Sequence, residues 1–362
     1  MKLPAMRASF RFVLFLSWVA LPAVRPGIRA QELQIRNLTG SQGGNLVVAI
    51  TSDPTNFNRM LASGLANIAV TERLSSDLVH INRGTLQLEP SLAKAWEADG
   101  SGRIYTIHLR RGVRFSDGSP FTADDVLFTF QVLTDRKIEN TLAGQIETDG
   151  EFPSITRVDD FTLKLVFKRP SGMGPRMLDS IPIIPKIRLS RAYQEGRIGT
   201  VWGPTVNPAE VAGLGPFKLK EYQRGIRIVL ERNPYYWKRD GNGKKLPYLN
   251  TITYLIVPDL NSEALRFQQG ELDFVSSPSL NPENYATLRR NRKDYTLRDL
   301  GAGLTVDYLW FNLNKGADSR GRPFVDPAKM AIFEKPEFRR AVSYAIDRPS
   351  IARSVLLGLG SP

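Results

Sequence analysis

WEADGSGRIYTIHLRRGVRFSDGSPFTADDVLFTF, Trp96–Phe130, is a dense succession of local structural signals. Ile104 to Leu109 alternates apolar and polar residues, the period of a half-buried strand. Arg111 and Gly112 turn the chain and Val113 to Phe115 returns, which predicts a hairpin. Asp117-Gly118 is a second turn signal. Thr122 then stands as the N-cap of a helix, with Asp125 at N3 completing a capping box in which Asp replaces the usual Glu or Gln. Phe121 and Val126 fall at the two positions of a hydrophobic staple. Asp124 and Asp125 also complement the positive end of the helix. We read these acids as caps, because no histidine, nucleophile or metal ligand stands beside them in sequence to make a catalytic pair.

Upstream, Asn45 to Ile50 is an apolar, β-branched run that reads as a buried strand. It opens into the polar loop Thr51 to Phe57, the kind of strand end at which open α/β sheets place ligands. A plain turn is the competing reading. Downstream, strands are predicted over 160–167, 225–231 and 252–257, and residues 213–219 read as a Gly/Pro turn feeding a strand. Residues 261–269 read as a helix closed by Gly270, and Glu271 to Val275 as a short strand, an order that suits a βαβ unit. Tyr308 to Leu313 is an aromatic-rich strand candidate. In the helix predicted over 337–348, Phe338, Ala341, Val342, Ala345 and Ile346 share one face, with Pro336 before it and Pro349 after. A second helix begins at Ile351.

The chain has 362 residues, 42% hydrophobic and 23% charged, which is globular composition for about two domains. It has no cysteine, which excludes disulfides, thiolate metal sites and a lipoprotein anchor. Lys2, Arg7 and Arg11 followed by the apolar run Phe12 to Val24 form a secretory leader, with Ala30 or Ala23 as the cleavage point. That run is shorter than the roughly 20 residues of a membrane span. Removing the five basic residues of positions 1–30 from the formal charge of +13 leaves +8. The bases are scattered among acids, and the densest group, Arg289, Arg290, Arg292 and Lys293, reads as a solvated helix face.

Four blocks in order resemble one family, the extracytoplasmic solute-binding proteins of peptide-type ABC transporters (family 5). They are LAKAW at 92–96 running through Phe130; GLGPF at 213–217 with RNPYYW at 232–237; IVPD at 256–259 with RFQQGELD at 266–273; and Phe311-Asn312 with FRRAVSYAIDR at 338–348. The resemblance implies an α/β, two-lobed periplasmic binding protein fold with an inserted extra subdomain. Lobe I would take residues 42–60 and 200–300, the inserted subdomain 61–199, and the start of lobe II 304–362, after a crossing at 301–303. The second lobe is expected to be incomplete in this chain, which stops at Pro362, so we expect a piece of a longer receptor. The implied activity is non-enzymatic: capture of a peptide or related small solute between the lobes, and delivery to a membrane permease and its ATPase. A periplasmic monomer with no cofactor and no nucleic-acid partner is expected.

Candidate ligand-binding residues are Ser52, Asp53, Phe57, Tyr308, Trp310 and Asn312, which would give an aromatic-lined cleft with few polar anchors. Core packing is the competing reading for Tyr308 and Trp310. With only His80 and His108 available, a multi-histidine metal or haem site is disfavoured. Two rival functions carry weaker signals. Ser91 and Lys94 match the S-x-x-K pattern of serine hydrolases, without the companion S-D-N and K-T-G elements. The basic balance would suit a nonspecific binder of DNA or membrane.

Overall fold

A computed structural model describes residues 30–275, 280–291, 295–298 and 306–362. The expected leader over 1–29, the crossing at 301–303, and Arg292 and Lys293 lie outside the described residues. The chain enters through β1 (Leu33–Ile35) and β2 (Asn45–Ile50), and then α1 (Leu65–Leu74). β3 (Val79–Ile81), β4 (Leu88–Pro90), β5 (Ala93–Ala98) and β6 (Ile104–Leu109) lead to α2 (Ala123–Thr134) and the short α3 (Ala143–Ile146). β7 (Ser154–Asp159), β8 (Thr162–Val166) and α4 (Lys186–Gln194) follow. Next come β9 (Phe217–Gln223), β10 (Arg227–Arg232), β11 (Lys238–Asp240), β12 (Thr251–Ile256), α5 (Leu260–Gln268) and α6 (Pro282–Arg290). The last elements are α7 (Pro327–Phe333), α8 (Pro336–Ala345) and α9 (Arg348–Ser354). Among the described residues no helix is long and apolar enough to cross a membrane.

Two four-stranded sheets organise the chain. The first runs β2-β12-β10-β9, with β2 and β12 parallel and the other pairs antiparallel. Phe274 adds a parallel bridge to Val48, and Asp273 both receives the Val47 amide at 2.7 Å and donates its own amide to the Val47 carbonyl at 2.8 Å. The predicted βαβ order is therefore present: β12 crosses through α5 to a segment on the far side of β2. The second sheet, β5-β6-β8-β7, is antiparallel throughout and lies in sequence between β2 and β9.

The alternation in the sequence sets which side chains go in. Tyr105, Ile107 and Leu109 of β6 are buried, as are Leu163 and Leu165 of β8, Ile228 and Leu230 of β10, and Ile252 and Tyr254 of β12. These residues join the buried face of α2 in one continuous core. The capping box forms as expected: the Thr122 amide donates to Asp125 Oδ2 at 2.9 Å. Phe121 and Val126, the staple pair, are both buried. Asp125 also receives the amide of Lys186 at 3.0 Å, and Thr129 Oγ1 the amide of Ile184 at 3.1 Å, so α2 fixes the start of α4.

The block GLGPF is a structural joint. A Cβ on Gly213 would sit 1.8 Å from the Leu74 carbonyl oxygen, and one on Gly215 would sit 2.5 Å from that of Arg73. The segment leading into β9 thus packs against the backbone end of α1, where Gly215 N donates to Leu74 O at 3.0 Å. Only glycine permits that approach.

Three expectations are corrected. Val113 to Phe115 does not return along β6. It pairs instead with residues 119–121 across the Asp117-Gly118 turn, through Phe115 N to Ser119 O at 2.8 Å and Phe121 N to Val113 O at 3.0 Å. The partners of β6 are β5 and β8. Tyr308 to Leu313 forms no strand, because no neighbouring strand among the described residues takes its backbone groups. The helix predicted over 337–348 stops at Ala345, since Asp347 caps α9 by accepting the Ser350 amide at 3.0 Å.

Candidate functional site

The loop after β2 is held by the β9–β10 hairpin. Asp53 Oδ1 accepts the Tyr222 hydroxyl at 2.8 Å and the Gly225 amide at 3.0 Å. Gly225 turns that hairpin with φ 71°, a conformation open to glycine. Burial, and then the Asp53 carboxylate, push the Tyr222 hydroxyl up to about 12, so it stays a donor. Ser52 is exposed beside this anchor. Phe57 is 2% exposed and packs edge-on against Tyr222 at 5.3 Å, so its ring sits in the core.

The other three candidates lie in an open segment. Tyr308 and Trp310 are 73% and 75% exposed, with ring centroids 5.6 Å apart and tilted by 57°. Asn312 is exposed and accepts the Asn314 amide at 3.0 Å. No hydrogen bond or ring contact among the described residues joins this segment to the Asp53 loop. One group presents two exposed aromatic rings, the other a hydrogen-bonded carboxylate beside an exposed hydroxyl at a strand end. Sequence reasoning missed Tyr222 and Gly225. The Arg224-Gly225 pair is a turn signal, but nothing local in the sequence ties Tyr222 to a residue 169 positions earlier.

A cluster absent from the sequence reading joins Asp77, His80 and Asp179, whose ligand atoms lie within 4.8 Å of one another. Most of its carboxylate oxygens are already used. Asp179 takes the Ile81 amide at 2.6 Å and the Arg83 guanidinium at 2.5 Å, and Asp77 takes His80 Nδ1 at 3.3 Å. Burial works against ionisation of Asp179, but these donors outweigh it and hold the carboxyl below its ordinary range. The hydrogen bond to Asp77 raises the His80 pKa. The cluster is an ion-pair network that ties β3 to the segment at 179–180.

The hydrolase alternative is corrected. Ser91 is fully buried and its hydroxyl has no hydrogen-bond partner among the described residues, while Lys94 is exposed on β5. The lysine does not reach the serine, so the pair lacks the nucleophile–base contact that the S-x-x-K chemistry requires.

With this geometry in place, comparison with known proteins is informative. Residues 87–362 match the family described as bacterial extracellular solute-binding proteins, family 5 middle. The oligopeptide-binding protein AppA of Bacillus subtilis is 29% identical over 320 residues, covering 88% of this chain and 53% of AppA. The dipeptide-binding protein of Escherichia coli is 30% identical over 336 residues, covering 88% of this chain and 57% of that protein. The structure of Bacillus subtilis AppA in complex with a nonapeptide superposes with a TM-score of 0.68 at 27% identity, covering 88% of this chain and 57% of that one. The chain spans about half the length of the curated relatives it matches.

Proposed function

Because the chain belongs to family 5 of the bacterial extracellular solute-binding proteins, we propose that it serves as the substrate-binding component of an ABC transporter. It captures peptides, or a related small solute, and delivers them to a membrane permease and its ATPase. The match over residues 87–362 carries this reading. The names of the two relatives and the nonapeptide in AppA support peptides as the solute class.

In this reading residues 42–60 and 200–300 make lobe I, residues 61–199 are its inserted subdomain, and 304–362 begin lobe II. Support comes from the two sheets: β2 shares a sheet with β9, β10 and β12, while the strands from β5 to β8 make their own. Ser52 and Asp53 would face the solute from lobe I, and Tyr308, Trp310 and Asn312 from lobe II. The protein works without a cofactor, without catalysis and without nucleic acid, as a monomer in the periplasm, after loss of the leader at Ala30 or Ala23.

Isothermal titration calorimetry of the purified chain with pools of di-, penta- and nonapeptides tests the proposal. Saturable binding of at least one pool, weakened when Trp310 is replaced by Ala, is the expected result. A folded chain that binds no pool would overturn it.

A further inference from the structure

Asn58 and Arg59 follow the Asp53 loop and line a small crevice shared with Ser75, Ile184, Trp202 and Gly213. Both side chains are withdrawn from water: Asn58 is 0% exposed, and the Arg59 side chain is 10% exposed. Asn58 Oδ1 is used, accepting the Met60 amide at 3.1 Å. Among the described residues its Nδ2 has no hydrogen-bond partner, and neither has Arg59 Nη1. Two buried donors on consecutive residues are thus unpaired, one of them on a cation, and each such omission is costly.

The local charge is also unbalanced. Arg59 has an ion-pair contact with Glu72 at 3.9 Å, and the same carboxylate lies 3.9 Å from Arg73. Glu72 is half exposed and is shared between the two arginines, so these three charges sum to one net positive. A partner suited to both donors has a definite chemistry. It accepts hydrogen bonds, it is small, and it carries negative charge.

We propose that the Asn58–Arg59 crevice is a binding site for a small inorganic anion of halide size. The anion ties the loop after β2 to α1 and to the segment at 182–185, apart from any solute cleft and independently of the transport reading.

Thermal unfolding of the full chain tests this, with sodium chloride or bromide replacing sodium gluconate at constant ionic strength. The unfolding midpoint is expected to rise saturably by about 2 °C, as for a ligand that binds the folded state alone. Asn58→Asp keeps the Oδ1 acceptor and places a negative charge where the anion would sit. This variant is expected to unfold at a higher midpoint in gluconate and to lose the halide response. Glu72→Gln removes the competing carboxylate and is expected to lower the half-saturating halide concentration severalfold. Absence of a saturable response in the wild-type chain overturns the site and leaves the crevice to water. An equal response in wild type and Asn58→Asp, or an unchanged half-saturation in Glu72→Gln, overturns it as well. If Asn58→Asp does not fold, Glu72→Gln decides.

Discussion

Two helices with readable apolar faces meet different surroundings. α2 buries Val126, Phe128, Phe130, Val132 and Leu133 among others, whereas α8 buries no residue. α2 is apolar around most of its circumference and α8 along one face, and the receiving surfaces differ too. α2 lies against β7 and α4 within the continuous core, while α8 touches α7 through a small aromatic group, Phe311, Phe333 and Phe338, with centroids 5.0–6.1 Å apart. Periodicity therefore specifies which face seeks cover, and a sheet must be present to supply it. The exposed rings of Tyr308, Trp310 and Tyr344 lie on the same side of this contrast, in residues 306–362.

The contrast is sharpest in truncation. Phe130→Ala leaves a cavity in the core and is expected to cost about 3–5 kcal/mol of unfolding free energy in a urea titration. An equal loss from Tyr344→Ala, which is 87% exposed, would break the comparison. The joint beneath α1 gives the next largest effect. Gly213→Ala drives a methyl group into the Leu74 carbonyl, and about 3 kcal/mol of destabilisation is expected by the same titration. A neutral result would show that the backbone gives way there.

Asp125 supplies a pH dependence specific to the α2 side. Burial pushes its carboxyl from 3.8 up to about 6, against the two amides that favour the charged form. The folded state therefore holds this proton more tightly than the unfolded chain. The contribution is fully present below about pH 4, falls as pH rises towards 6, and amounts to about 3 kcal/mol. Stability of Asp125→Asn measured across that window should be flatter than wild type; an unchanged slope would assign it to other groups. Smallest of all, Tyr344→Ser on the exposed side should move stability by less than about 0.5 kcal/mol while lowering binding of a hydrophobic dye. A larger loss of stability would mean that the α8 face is covered in solution.

How much was legible follows the same divide between local and long-range information. β2, β6, β8, β10 and β12 announced themselves by alternation or apolar runs, and α2 and α5 by their caps, because those signals reside in adjacent residues. β5 and β7 did not. β7 reads SITRVD and exposes most of its residues, and it is a strand only because β8 pairs with it. β5 carries exposed Lys94 and Glu97 and a register shift against β6. Tyr308 to Leu313 shows the converse: aromatic and β-prone residues with no strand beside them stay irregular. α7 carries a local signal as well, since Asp326 before Pro327 is a cap followed by a helix-starting proline. Of the site, Asp53 was legible as a strand-end carboxylate, but its partners Tyr222 and Gly225 come from a hairpin far along the chain.

The central claim is that the loop after β2 and the open aromatic segment receive a solute together. Amide hydrogen exchange with and without a peptide pool measures this directly. The account predicts slowed exchange at residues 51–56 and 308–312 when peptide is added, with α2 unchanged. Slowed exchange at neither segment in a saturated complex would contradict it.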